Sequence, residues 1–183
     1  MKPFDFKMPS EIIFGEGKIV ELPDVVKKFG KRALIITGDH SLYKTGDADR
    51  IFSMFEHHEL ELIVQKTSGE PTVELIDYLC DIHADTKQDV IIGIGGGSVL
   101  DTAKAMSAML KENGSVSDYI ETIGSKKICN QPIPCIAVPT TAGTGSEATN
   151  NAVIAEYLPR AFKRSLRDDA LVPKVAIIDP ELT

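Results

Sequence analysis

The chain has 183 residues, 43% hydrophobic and 26% charged, with a formal charge of −7. That length fits one domain or two small ones, and the acidic balance argues against broad binding to nucleic acid or an anionic membrane. A local anion site stays open, because backbone N–H groups hold phosphate without net positive charge.

Taken from the start, MKPFDFKMPSEIIFG has no apolar run long enough for a secretory leader. No later stretch approaches the roughly 18 apolar residues of a membrane span. Residues 32–37, RALIIT, read as a buried strand, and 49–57 follow as a helix with Ile51, Phe52 and Phe55 on one side. Residues 60–64, LELIV, are the next strand. Glu-Pro-Thr at 70–72 opens a helix that runs to Ala84, with Val73, Ile76 and Leu79 or Cys80 along its apolar stripe. Residues 89–94, DVIIGI, form another strand, a glycine cluster ends it, and a helix continues to about Lys111. A further strand covers 134–138. Runs rich in Ile and Val without alternation fit strands covered on both faces. The expected fold is α/β, a doubly wound, mostly parallel, Rossmann-like sheet.

The last third differs. Residues 152–155 and 161–166 read as a small β-hairpin around Leu158 and Pro159, and 175–178 as a final strand stopped by Asp179 and Pro180. An α/β domain seldom stops straight after a strand, so the sequence reads as interrupted. Cys80, Cys129 and Cys135 are odd in number and lack CxxC spacing. They read as reduced thiols, most of them buried, in a cytoplasmic protein.

Two loops carry the chemistry. In IIGIGGGSVLDTAK a strand runs into Gly95, Gly96, Gly97 and Ser98 and a helix begins at once. Consecutive glycines let backbone approach a ligand and adopt positive φ. The free N–H groups and dipole of the helix then favour a diphosphate; the plainer alternative is a tight turn. Ser98 can donate to phosphate or cap the helix. Asp101 can cap it, hold the loop or meet a substrate hydroxyl. The string is neither GxGxxG nor a P-loop, and Lys104 reads as a solvated helix charge. The second loop, VPTTAGTGSEATNN, follows a buried strand and should reach the same sheet edge. Its hydroxyls and glycines suit a polar ligand, though a surface loop would look similar. Glu147 caps a helix or pairs with a lysine.

GGGSVLDTAKA followed by PTTAGTGSEAT is similar to the paired signatures of the iron-containing (group III) alcohol dehydrogenases. PSEIIFGEG, ALIITGD, GEPTVELI and VPKVAIIDPEL extend the resemblance along the chain. It implies that residues 1–183 are the N-terminal nicotinamide-dinucleotide-binding domain, truncated before a helical metal-binding domain that is absent here. The diphosphate then falls to Gly95, Gly96, Gly97 and Ser98, with Asp101 beside them. Thr140, Thr141, Thr144 and Thr149 embrace diphosphate and nicotinamide ribose, and Asn151 faces the nicotinamide. Lys163 reaches a cofactor ribose, unless it is an exposed hairpin lysine, and Leu182 closes over the cofactor. At the adenosine end Gly38 leaves room for a 2′-phosphate, which His40 and Ser41 could contact. Asp39 could instead turn back to the 2′-OH. The reading leans to NADP over NAD.

The same resemblance implies an Asp and three His holding Fe²⁺, or Zn²⁺, in the missing domain. His40, His57, His58 and His83 lie outside the matching segments, so no metal ligand and no catalytic residue is expected in this chain, which alone should be inactive. The implied function is the cofactor half of hydride transfer between a small alcohol or aldehyde and the nicotinamide, in a protein that can assemble as a homo-oligomer. Alternatives are a non-catalytic nucleotide-binding module and a fragment of a dehydroquinate-synthase-like lyase.

Overall fold

The computed structural model describes residues 7–183. The first six residues, part of the stretch read for a leader, lie outside it. The strands, in chain order, are β1 (Glu11–Phe14), β2 (Arg32–Gly38), β3 (Glu61–Thr67), β4 (Val90–Gly95), β5 (Cys135–Pro139), β6 (Asn151–Glu156), β7 (Phe162–Arg167) and β8 (Val175–Ile178). The helices are α1 (Leu22–Lys27), α2 (Ser41–Lys44), α3 (Asp47–His57), α4 (Val73–His83) and α5 (Gly97–Met109). Six strands pair in parallel in the order β1-β8-β5-β4-β2-β3, and β6 with β7 forms the separate antiparallel hairpin.

The unbroken Ile and Val runs have the expected cause. Ile35, Ile92 and Ile136 point to one face, where they pack with Val26, Ile51 and Phe55 of α1 and α3. Leu34, Ile36 and Ile91 point to the other, against Leu79 of α4 and Val99, Ala103 and Met106 of α5. Alternate residues of a strand face opposite ways, so a strand buried on both sides must be apolar throughout. Burying such a side chain contributes about 1.5–3 kcal/mol.

The hairpin gives α5 a second cover. Ala152, Ile154 and Leu166 pack against Ala105, Ala108 and Met109, so all but three residues of α5 are buried. Helix and sheet also approach closely: a Cβ added to Gly93 would lie 2.9 Å from that of Ala103. Thr72 caps α4, accepting from the Leu75 N–H at 3.1 Å. Cys135 is buried, Cys80 half-buried and Cys129 exposed, which corrects the expectation that most are buried. Burial pushes the Cys80 and Cys135 thiols up to about 12.

Candidate functional site

From β2 the chain crosses to β3 on one side, then to β4 on the other side of β2. Open α/β sheets bind ligands outside the strand carboxyl ends at such a reversal. Gly38 ends β2 there, and Gly95 ends β4. The second loop reaches the same edge, because β5 pairs with β4 and Thr140 donates to the Gly95 carbonyl at 2.9 Å.

Positive φ is not what the glycine triad supplies. None of Gly95, Gly96 and Gly97 has it, and the left-handed glycines of the site are Gly143 (102°) and Gly145 (67°) in the threonine loop. The triad supplies close approach. A Cβ on Gly95 would lie 2.7 Å from Val99 Cγ2, and one on Gly97 would lie 3.2 Å from Thr144 Cγ2. The glycine loop therefore lies directly against both the first turn of α5 and the threonine loop. Gly96, not Ser98, is the N-cap of α5, and no side chain caps it. Ser98 is exposed. The amides of Gly97, Ser98 and Val99 donate to no group among the described residues, as expected of a first helical turn. With the dipole of a 13-residue helix behind them, they suit an anion.

Thr141 and Thr144 are exposed beside this turn. Thr140 and Leu182 come together in a groove of about 210 Å³ with Ser41, Leu42 and Thr45. Gly38 borders open space, and Asp39 beyond it is half-exposed, with its carboxylate 3.5 Å from His40 Nε2. Thr149 and Asn151 line a second groove, about 450 Å³, with Lys7, Arg167 and Asp169. Lys163 is exposed and ion-paired with Glu70, which also ties the hairpin to the loop before α4. The hydrogen bond it donates to Glu70 holds its ammonium above the usual lysine pKa.

Asp101 takes the loop-holding role among its alternatives. It accepts from the Ser146 hydroxyl at 2.6 Å and the Val153 N–H at 3.0 Å. Lys104 corrects the sequence reading outright: it is fully buried, not solvated. Its ammonium lies 3.3 Å from Asp101 and donates to the Ser146 carbonyl at 2.8 Å. Burial pulls its pKa below the usual lysine value, against the opposing pull of Asp101. Glu147 makes no ion pair among the described residues, and one of its carboxylate oxygens is buried without a partner.

The family model for iron-containing alcohol dehydrogenases matches residues 9–180. The chain belongs to that family. The NAD-dependent methanol dehydrogenase of Bacillus methanolicus is 34% identical over 180 residues, which are 97% of this chain and 46% of that protein. Among solved structures, the NADH-dependent butanol dehydrogenase A of Thermotoga maritima superposes with a TM-score of 0.90 at 31% identity, covering all of this chain and 45% of that one. The sulfoacetaldehyde reductase of Bifidobacterium kashiwanohense, solved in complex with NAD⁺, gives 0.86 at 30% identity over the whole chain and 48% of its own. The chain thus spans under half the length of the relatives it matches.

The metal in the family's name finds no fit here. Among the described residues no group of three or more His, Cys, Asp or Glu could hold one. His57 bonds to the Ser53 carbonyl, and His83 is buried against Gln65.

Proposed function

We propose that this chain binds a nicotinamide dinucleotide across the carboxyl edge of β2, β4 and β5, as the cofactor half of an enzyme that oxidises small alcohols or reduces aldehydes. The observation that carries the reading is the meeting of two neutral loops at the sheet's reversal point: the free amides at the start of α5 lie beside the exposed Thr141 and Thr144. A diphosphate needs donors without a requirement for cations, and this edge offers them.

The dinucleotide would accept the hydride at its nicotinamide ring in alcohol oxidation and supply it in aldehyde reduction. The protein's share is to bind and orient it. In this reading Gly97, Ser98 and Thr144 hold diphosphate, Thr140 and Leu182 flank the adenosine, and Thr149, Asn151 and Lys163 lie toward the nicotinamide end. Relatives named for a cofactor are named for NAD or NADH, which weighs against the lean to NADP drawn from Gly38. Asp39 supplies the carboxylate that an unphosphorylated ribose can use, so we take NAD(H) as the ligand. No step is assigned to a metal, since the described residues cannot assemble its site.

Calorimetric titration of NADH and NADPH into the chain and into Gly96→Val tests this. Gly96 has φ −73° and ψ −178°, which valine adopts without strain. Its Cβ would stand 3.4 Å from Thr141 Oγ1, and its methyls would fill the gap between the loops. The variant should fold and lose roughly tenfold or more in NADH affinity, about 1.4 kcal/mol per tenfold. A folded variant with unchanged affinity would reduce the loop to a turn.

A further inference from the structure

Lys163 is the only cation among the residues assigned to the dinucleotide, and it carries a partner. Its ammonium donates to the Glu70 carboxylate. Backbone geometry sets the two against each other. Lys163 stands opposite Ala155 in the hairpin ladder. The Ala155 N–H donates to the Pro71 carbonyl at 2.9 Å, and Thr72 bridges to the same residue. Glu70 directly precedes Pro71, so one short junction brings hairpin and loop together. The Asp101 carboxylate, a turn into α5, also raises the Lys163 pKa, by less than Glu70 does. The pair is therefore within electrostatic reach of the helix start that follows the glycine loop.

As a fastener the pair adds little. Both side chains are about half exposed, and exposed pairs contribute little to stability. The junction also has backbone bonds of its own. Charge is a different matter. The nicotinamide ring is a cation in the oxidised cofactor and neutral in the reduced one. A lone lysine at that end would serve the ribose of both and repel the ring of the oxidised form. Asp101 is a poor counter-ion for it, because Lys104 lies 3.3 Å away and balances that carboxylate. Thr149 and Asn151, the other residues of that end, are uncharged. The compensation falls to Glu70.

We propose that Glu70 is a specificity-determining residue: as the counter-ion of Lys163 it keeps the nicotinamide end neutral, and so lets the chain bind NAD⁺ as well as NADH. This rests on the cofactor-binding reading above. Removing either partner leaves one unbalanced charge, of opposite sign in the two cases. The ring charge is what differs between the two cofactors. The ratio of their affinities therefore reads the balance, and any effect on diphosphate or ribose common to both cancels from it.

NAD⁺, NADH and ADP-ribose are titrated by calorimetry into the unmodified chain, Glu70→Gln, Lys163→Met and the double variant. Substitutions at such exposed sites change stability little, so the variants should fold. Glu70→Gln should weaken NAD⁺ relative to NADH by roughly threefold to tenfold at low salt, as one unit charge near the ring at a partly screened surface would. Lys163→Met should move the ratio the other way by a similar factor. It should also weaken ADP-ribose, which keeps the ribose and lacks the ring. The double variant should return the ratio close to its starting value. Both shifts should shrink in about 1 M salt, where the screening length falls to about 3 Å. An unchanged ratio in either single variant, or a shift of the same sign in both, overturns the proposal, since a loosened hairpin acts on both cofactors alike. Failure of the unmodified chain to bind any of the three ligands overturns the cofactor reading itself, and the proposal with it.

Discussion

Gly38 ends β2 beside open space: a Cβ there would touch only Val99 Cγ2, at 3.8 Å. Its φ lies outside the left-handed region, so an aspartate fits without strain. Gly38→Asp should shift cofactor preference further toward NAD. The new carboxylate can accept from a ribose 2′-OH, but it repels a 2′-phosphate, and about 1.4 kcal/mol of repulsion is already tenfold. Titrating both cofactors into each protein checks this, and a variant that gains preference for NADP would show that the adenosine end lies elsewhere. The residues of this edge were legible from sequence because strand, glycine cluster and helix follow one another directly. What the glycines do was not legible. A run of three invites positive φ, whereas the structure spends them on contact with Val99 and Thr144. Lys104 reads as solvated for a related reason. A helix lysine is solvated unless something covers it, and the cover is the hairpin, some fifty residues on.

Among the elements, α4 shows how a helix end stores pH sensitivity. His83, its last residue, is buried; Nε2 lies 3.1 Å from the Gln65 side-chain oxygen, and Nδ1 has no partner. A neutral ring that donates from Nε2 satisfies this setting, whereas a charged one would bury a second N–H with nothing to accept it. Burial accordingly lowers the pKa from the usual 6.5. The unfolded chain then takes up a proton near pH 6.5 that the folded protein refuses. Stability present above that pH should be lost as pH falls toward the folded value. The urea midpoint should drop between pH 7.5 and 5.5, and His83→Gln should lessen the drop. An equal drop in the variant would assign it to other groups. Long, doubly covered elements such as β2, β4 and α5 were clear in the sequence, because apolar periodicity records burial. The short α2 was missed: four residues with one buried side chain carry no period. Between α5 and β5 the chain is irregular apart from a 3₁₀ turn at Val116–Tyr119. Its sequence carries no period that marks an element, although Val116 and Ile120 sit in the core between α4 and the hairpin.

At the scale of the molecule, one carboxylate ties the two ends of the described chain together. β1 and β8 are neighbours in the sheet though far apart in sequence, and Asp179 follows β8 directly. It is fully buried. One oxygen accepts from the Gly17 N–H at 3.1 Å and from the Glu181 N–H at 3.1 Å; the other accepts from the Ile19 N–H at 2.9 Å. Sequence showed Asp179 only as the partner of a proline that stops a strand. The turn after β1 is fixed by this residue 160 positions later, a distance over which local pattern carries no information. Asp179→Ala leaves three N–H groups without their acceptor and should cost about 3 kcal/mol, given roughly 1–3 kcal/mol for each such group and partial rescue by water. For a chain of this size that lowers the thermal midpoint by about 6–12 °C. Asp179→Asn keeps the shape but turns an amide nitrogen toward at least one donor, so it should fall between wild type and alanine. The loss should come with faster amide exchange at Gly17 and Ile19, while the amides of β4 at the far side of β5 stay protected until global unfolding. If Asp179→Ala melts within 2 °C of wild type, a shift on the order of 1 kcal/mol or less, then β1 is held by its ladder to β8 alone and the carboxylate is dispensable.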